Sequence, residues 1–364
     1  MNTPLPEKIL ILGCAGFIGS HLLDRLLQEP RFTVEGWDLD DTKIKKHLDN
    51  PKFTFVKRDI STPQSLVALE QSIEACDMVF SLAAICNPAQ YNRQPLNTIR
   101  SNYNDMIPVV DMCARMGRWL CHFSTSEVYG RTLASHVTPG DYPAPDLYEL
   151  QENSSPLLLG PVCNQRWSYA AAKQLLERYI VAHHFESNLP FTMIRPFNFF
   201  GPRMDFIPGR DGEGVPRVLA CFVTALLDRK PLQLVDGGHA QRTILWIGDA
   251  IDALMAMLDR PQQAQGEIFN LGSRDTEVSM AQLAHAIRQA YAEISGDESY
   301  LDHPIETVSS CQFYGPGYED SDRRMPNVEN VWQKLGWKAK TPLDETLRET
   351  VAYYHALYGV KETV

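Results

Sequence analysis

Several features that would announce a function on their own are missing from this chain. Its eight cysteines, Cys14, Cys76, Cys86, Cys113, Cys121, Cys163, Cys221 and Cys311, form no Cys-x-x-Cys pair and no zinc-like spacing with histidine. That pattern speaks against a metal centre or a dithiol redox pair. Most of them lie in apolar runs, where a free thiol is a small core residue. No apolar run approaches the ~20 residues needed to span a bilayer, and no leader-like segment precedes the first strand, so the cytoplasm is the expected compartment. Positive charge is short: 34 Lys and Arg against 45 Asp and Glu leave a net charge of −11. An acidic surface gains nothing by counterion release, which argues against nucleic acid or an anionic membrane as the main partner. A small anion held by local arginines stays compatible. There is no internal repeat and no low-complexity tract.

What is present is ordinary in composition and specific in pattern. With 364 residues, 44% hydrophobic and 22% charged, the chain can bury a full core as one large domain or two coupled ones. Short apolar runs at 8–12, 33–37, 53–56, 77–82, 118–123 and 191–195 alternate with helical patterns. This order predicts an α/β fold of the Rossmann type, a doubly wound parallel sheet covered on both faces. After Pro196 the character changes. Residues 201–216 are rich in Gly, Pro and Arg and read as a loop, and an amphipathic helix follows from Val218 to Leu227. Strands are expected at 244–247 and 268–271, with helices at 249–258 and 279–294. A last helix is expected to open at Thr341-Pro342, a cap residue followed by a first-turn proline. The helical stretch 102–116 is interrupted by Pro108, and 134–165 reads as a long surface loop near the site. The expected division is residues 1–196 plus about 239–274 in a nucleotide-binding domain, and 197–238 plus 275–364 in a smaller, interleaved C-terminal domain.

The most informative run is Lys8-Ile-Leu-Ile-Leu-Gly13-Cys-Ala-Gly16-Phe-Ile-Gly19-Ser-His-Leu-Leu. It is a strand, a turn with glycines at three-residue spacing, and a helix start. A side chain in the turn would keep a pyrophosphate off the backbone N–H groups, and the helix N-terminus supplies partial positive charge. Asp38 closes the next strand about 20 residues later, where a carboxylate bonds a ribose diol. Asp40 and Asp41 would repel a 2′-phosphate, so NAD is the expected cofactor. Cys14 sits inside the turn, where a small side chain is all that is required.

A second constellation joins Ser124-Thr125-Ser126, after strand 118–123, to Tyr169-Ala-Ala-Ala-Lys173. The i, i+4 pair lies on one helical face, so the Lys173 ammonium can stand near the Tyr169 hydroxyl. That charge, with NAD⁺, is expected to lower the tyrosine pKa from about 10 toward neutrality and make it a general base. Thr125 is placed to share a hydrogen bond with the reacting hydroxyl. His122, His183, His184 and His239 show no metal spacing and read as structural or surface residues.

These residues resemble the extended short-chain dehydrogenase/reductase superfamily. Further motifs narrow the resemblance: Leu-Ala-Ala-Ile-Cys86-Asn-Pro, His-Phe-Ser-Thr-Ser-Glu127-Val-Tyr-Gly, Gln-Arg166-Trp-Ser-Tyr169, Arg-Pro-Phe-Asn198, Gly-Pro-Arg203-Met-Asp-Phe-Ile-Pro-Gly, Gly-Val-Pro-Arg217-Val-Leu-Ala-Cys, Val-Asp-Gly-Gly, Gln-Arg242-Thr and Gly-Tyr318-Glu-Asp-Ser-Asp-Arg-Arg324. They are similar to the UDP-glucuronate decarboxylase branch, above all to plant UDP-apiose/UDP-xylose synthases and less closely to the decarboxylase of bacterial polymyxin resistance. The resemblance implies a homodimer with its seam at 102–116 and 168–183. It extends the NAD site to Phe17, Ile18, Asp59, Ile60, Leu82, Ala83, Ala84, Asn102 and Pro196. It implies Glu127 and Ser126 near C5 of the sugar, and Arg324 near a departing carboxylate with Arg166 as a second candidate. Arg217 and Arg242 would hold the UDP moiety, Asn198 a substrate loop, and Tyr318 the nucleotide. Arg203 either contacts ligand or braces its loop.

Two departures stand out. The synthases carry a cysteine linked to sugar ring opening where this chain has Cys86, but also a second cysteine where it has Ser126, and the polymyxin-resistance enzyme carries serine there. Gln233 stands where that enzyme has lysine. The expected activity is NAD-dependent oxidative decarboxylation of UDP-glucuronate through a UDP-4-keto-pentose. UDP-apiose, UDP-xylose and the released ketone with NADH remain open as products. An epimerase or dehydratase of another nucleotide sugar, and a non-catalytic NAD-binding regulator, remain as alternatives.

Overall fold

The computed structural model describes residues 5–86, 88–137, 142, 144–315 and 318–359. Its centre is a seven-stranded sheet: β1 Lys8–Leu12, β2 Thr33–Asp38, β3 Phe53–Lys57, β4 Met78–Ser81, β5 Trp119–Phe123, β6 Phe191–Pro196 and β7 Glu267–Leu271. The spatial order is β7-β6-β5-β4-β1-β2-β3, and every pairing is parallel. Ile9, Leu10, Ile11 and Leu12 are all buried because helices cover both faces, which is why these strands read as continuous apolar runs. The strand order reverses between β1 and β4, so the loops after both strands open onto one crevice, where ligands of such sheets bind.

The second half builds a smaller lobe on this sheet. Gln241–Thr243 pairs with Glu277–Ser279 and Arg323–Pro326, and the last of these pairs with Glu149–Leu150. The expected strand at 244–247 is instead divided. Leu245–Trp246 pairs with Phe199–Phe200, and Ile247 already opens the helix Ile247–Asp259. The helix Met280–Ser295 starts on a capping box between Ser279 and Gln282. It packs its apolar stripe on the helices Val218–Leu227 and Leu343–Tyr358 in a core of its own.

Two helix starts differ from the sequence reading. Pro108 does not interrupt a helix. It lies in the first turn of Ile107–Met116, where its missing N–H is harmless. Thr341 does not cap the last helix either, because Pro342 is the cap residue. The Thr341 N–H and hydroxyl bond the Asp249 carboxylate at 2.8 and 3.0 Å, tying the two lobes together instead. No described helix is long and apolar enough to cross a membrane.

Candidate active site

The glycine turn has the shape a dinucleotide requires. Gly13 adopts φ +94°, and a Cβ there would stand 2.8 Å from the Ala83 backbone nitrogen. A Cβ on Gly19 would collide with the Gly13 carbonyl, so helix and strand meet backbone to backbone. Gly16 caps the helix Phe17–Gln28 with no side-chain hydrogen bond, leaving the first-turn N–H groups open to an anion. Asp38 ends β2 beneath this turn and accepts the Ala15 N–H at 2.8 Å. Burial holds its carboxyl above the usual range. Leu82, Ala83 and Ala84 follow β4 along the same crevice. Asn102 donates to the Ile85 carbonyl at 2.9 Å, so it fixes that wall. Asp59 accepts from the Ser61 N–H and hydroxyl and shapes its own turn, with Ile60 beside it. Pro196 ends β6 opposite Leu271. These residues fit NAD.

At the end of β5, Thr125 caps a short turn and accepts the Glu127 N–H at 3.1 Å. Tyr169 and Lys173 enter from the helix Ser168–Ser187. The Thr125 hydroxyl hydrogen-bonds the Tyr169 phenol, and Cys86 lies beside the same ring. The sequence expectation for the phenol pKa includes the charge of NAD⁺; in the protein alone the shift runs the other way. Burial pushes it well above the tyrosine range, and Lys173 does not counter the rise. The Lys173 ammonium instead donates to the Phe123 carbonyl at 2.9 Å, and burial lowers its pKa to about 8. The Thr125 hydrogen bond and the charge of Arg217 work against the rise at the phenol without overcoming it.

Beyond Tyr169 lies an almost buried charge cluster. Glu127 pairs with Arg324 at 2.7 Å and with Arg166 at 2.6 Å. Asp320 pairs with Arg242 at 2.7 Å and with Arg324 at 3.2 Å. Burial alone would raise both carboxyls, but the surrounding guanidinium groups hold Glu127 at about 2 and Asp320 lower still. Three cations against two anions leave one positive charge for a ligand. Tyr91 stacks on Tyr169 with centroids 4.9 Å apart. Tyr318 stacks on Tyr314 at 4.0 Å and donates its hydroxyl to Asp320 at 3.1 Å.

Glu127, Arg324 and Arg166, expected together at the sugar carboxylate, lie in one cluster; Arg242 and Tyr318, expected at the nucleotide, reach the same cluster through Asp320, and Ser126 is buried in the turn between Thr125 and Glu127. Asp320 and Tyr91 were missed. Asp320, four residues before Arg324 in a quoted motif, had that spacing as a signal, whereas Tyr91 carries none. Arg217 stands apart from the cluster. Its Nε reaches Asp205 at 3.2 Å, and its guanidinium lies 5.9 Å from the Phe17 ring. Asn198 binds the Thr243 carbonyl. Arg203 braces its loop through Asp24 at 2.8 Å and the Lys43 carbonyl. Gln233 is exposed, its amide on Glu306 at 3.0 Å, and the structure does not bring it to the cluster. Among the described residues no group of His, Cys, Asp and Glu could hold a metal ion.

Residues 9–272 match the model of the NAD dependent epimerase/dehydratase family. The chain is 48% identical to a UDP-D-apiose/UDP-D-xylose synthase of Oryza sativa subsp. japonica, over 98% of this chain and 91% of that one. It is 47% identical to UDP-D-apiose/UDP-D-xylose synthase 2 of Arabidopsis thaliana, over 97% and 92%. Among solved structures, the PbgP3 protein of Burkholderia pseudomallei superposes with a TM-score of 0.81 at 30% identity, covering 96% of each chain. A UDP-glucuronic acid 4-epimerase of Bacillus cereus, solved with UDP-glucuronic acid and NAD, shares the fold at a TM-score of 0.75 and 24% identity, covering 96% of this chain and all of that one. The parallel sheet agrees with these matches, and the chain belongs to the NAD dependent epimerase/dehydratase family.

Proposed function

We propose that this chain is an NAD-dependent decarboxylase of UDP-glucuronate that forms UDP-apiose and UDP-xylose. One observation carries the reading beyond family membership: a buried cluster of three arginines with one net positive charge adjoins the Tyr169–Thr125 pair. Such a cluster suits a sugar that carries a carboxylate. The relatives' activity and the near-full coverage support the same substrate.

NAD, held by the glycine turn and Asp38, would supply a reversible acceptor for the hydride at C4 of the sugar. Tyr169 removes the proton of the 4-hydroxyl, with Thr125 aligning that oxygen and Lys173 fixing the floor of the site through Phe123. The resulting 4-ketone makes the C5 carboxylate a β-keto acid, which loses CO₂ readily. Arg324 and Arg166 hold that carboxylate and orient it for departure. Ser126 and the ionised Glu127 orient the proton donor toward C5, Arg217 and Tyr318 hold the UDP moiety, and Arg242 joins the charge cluster through Asp320. Cys86, exposed beside Tyr169, is the base assigned to ring opening on the way to apiose. The protein acts in the cytoplasm as a homodimer, its seam along the helices near 102–116 and 168–183.

The test is incubation with UDP-glucuronate and NAD, following NADH absorbance and the sugar by NMR. Loss of CO₂ without net NADH, with apiose and xylose signals, is the expected result. Stoichiometric NADH with a hydrated 4-keto-pentose would replace the reading by release of the ketone. No turnover would remove UDP-glucuronate as substrate.

A further inference from the structure

Tyr129 and Arg195 form the centre of a buried hydrogen-bond network that the proposed chemistry does not use. Arg195 lies on β6 and holds Glu177 with two arms of its guanidinium fork, Nε at 3.0 Å and Nη2 at 2.7 Å. Its Nη1 donates to the Tyr129 hydroxyl at 2.8 Å and to the Glu152 carbonyl at 3.1 Å. The Tyr129 hydroxyl donates in turn to Asn270 Oδ1 at 2.8 Å. Asn270 stands opposite Arg195 in the register of β6 and β7. Its amide donates to the Leu150 carbonyl at 2.8 Å and to the Asn327 carbonyl at 3.3 Å. The side chains of Arg195, Glu177, Tyr129 and Asn270 are all buried, so these bonds work at low dielectric and hold their partners firmly.

Each end of the network reaches an element that carries a reacting group. Glu177 follows Lys173 by four residues and Tyr169 by eight, on the buried side of the helix Ser168–Ser187. Tyr129 closes the turn that holds Ser126 and Glu127, and Gln174 of that helix donates to the Val128 carbonyl at 2.5 Å. Leu150 pairs with Pro326, and the Asn327 N–H bonds the Leu150 carbonyl at 2.8 Å. Asn270 therefore fastens the end of the strand Arg323–Pro326, which carries Arg324. The Tyr129 hydroxyl is thus a joint between the helix of Tyr169 and the strand of Arg324. A uronate ring presents its 4-hydroxyl and its C5 carboxylate at a fixed separation, and the groups that receive them stand on these two elements. A misplacement of about 1 Å at such a site costs roughly 10² in rate.

We propose that Tyr129 is a positioning residue: held between Arg195 and Asn270, its hydroxyl sets the separation of Tyr169 from Arg324 and so the fit of the uronate ring between them. The inference rests on UDP-glucuronate as the substrate, and it assigns a rate effect to a side chain that acts through others. Phenylalanine at this position keeps the ring, its packing and the Arg195–Glu177 pair at 2.7 Å. Arg195 Nη1 retains the Glu152 carbonyl, so no buried cation is left without a partner. What is lost is the link from Arg195 across to Asn270.

The experiment is steady-state turnover of UDP-glucuronate by the purified full chain at saturating NAD, with calorimetric binding of NAD and of UDP and a thermal melt. It compares the wild type, Tyr129→Phe and Leu157→Ala. Leu157 packs against the apolar cluster of Val128, Tyr129, Leu150 and Phe197, so its truncation loosens the same region and leaves the Tyr129 hydroxyl in place. Tyr129→Phe is expected to lower kcat by roughly 10- to 100-fold, with KM and the affinities for NAD and UDP within about twofold of wild type. Leu157→Ala is expected to lower the melting temperature at least as far, with kcat unchanged at temperatures well below the melt. A Tyr129→Phe kcat equal to that of wild type would overturn the role of Tyr129. Equal kcat losses in the two variants would overturn it as well, since a contribution to packing alone produces that result. So would losses of NAD and UDP affinity that match the loss of kcat. A wild type that does not turn over UDP-glucuronate would instead overturn the substrate reading, and this inference with it.

Discussion

Tyr169 shows how far a residue's chemistry depends on what surrounds it. In the sequence it is half of a Tyr-x-x-x-Lys pair. In the fold it is buried between Tyr91, Thr125 and Cys86, with its phenol pKa raised rather than lowered. Tyr169→Phe removes only the hydroxyl and should lower turnover of UDP-glucuronate by roughly 10²–10⁴, the usual contribution of a general base, with NAD binding retained. Turnover within a few-fold of wild type would reject Tyr169 as the base. Lys173 makes a separate prediction about stability. Its folded pKa of about 8 lies below its ordinary value of 10.5. Below pH 8 both folded and unfolded chains carry the proton, and the folded state bears the full penalty of burying it. Between pH 8 and 10.5 the unfolded chain binds more protons than the folded one, so stability rises with pH across that window. Chemical denaturation of wild type and Lys173→Met at pH 8 and pH 10.5 isolates this contribution from the buried cysteines, which titrate in the opposite sense: across the window the wild type should gain on the order of 3 kcal/mol relative to the variant. An identical slope in both proteins would mean that burial leaves the ammonium untouched.

At the scale of the element, the strand–turn–helix unit from Lys8 to Gln28 was legible because each of its requirements is local. Apolar residues fill a strand covered on both faces, and glycine is needed where a Cβ would meet the neighbouring backbone. Gly19→Ala tests this directly. The added methyl would strike the Gly13 carbonyl, so the helix start must move off the turn. NAD affinity should fall at least about tenfold, more than at Gly117, where a Cβ meets nothing within 4 Å. Unchanged affinity would show that the turn tolerates the shift. The start of the last helix was less legible. Thr341 has the right chemistry for a cap, but the Asp249 carboxylate on another helix takes its N–H and hydroxyl. A tertiary partner displaced a local preference.

For the whole molecule, the parallel sheet brings Thr125, Tyr169 and the glycine turn to one crevice, and the smaller lobe adds Arg242 and Arg324 from neighbouring strands. The same topology leaves Leu96 and Leu175 exposed on the helices Pro95–Asn102 and Ser168–Ser187. Two exposed leucines on adjoining helices suit a seam between copies. Light scattering should give twice the 41.2 kDa of the chain, and Leu96→Glu with Leu175→Glu should shift the species to monomer. A monomeric wild type would remove the dimer from the proposal.

The doubly wound sheet, the dinucleotide turn and the proposed Thr125, Tyr169 and Lys173 set could all be read from the chain before folding. Those features follow from periodicity and from spacings within one or two helical turns, where the chain's own geometry fixes what meets what. Arg324, Arg242, Arg166 and Glu127 were named only through likeness to known motifs, and Asp320 and Tyr91 were passed over. Only the tertiary structure gathered them, since Glu127 and Arg324 lie 197 positions apart and meet through the pairing of strands from distant parts of the chain. It also set the charge states. Protonation depends on burial and on the summed field of neighbours, and neither quantity exists until the chain has folded.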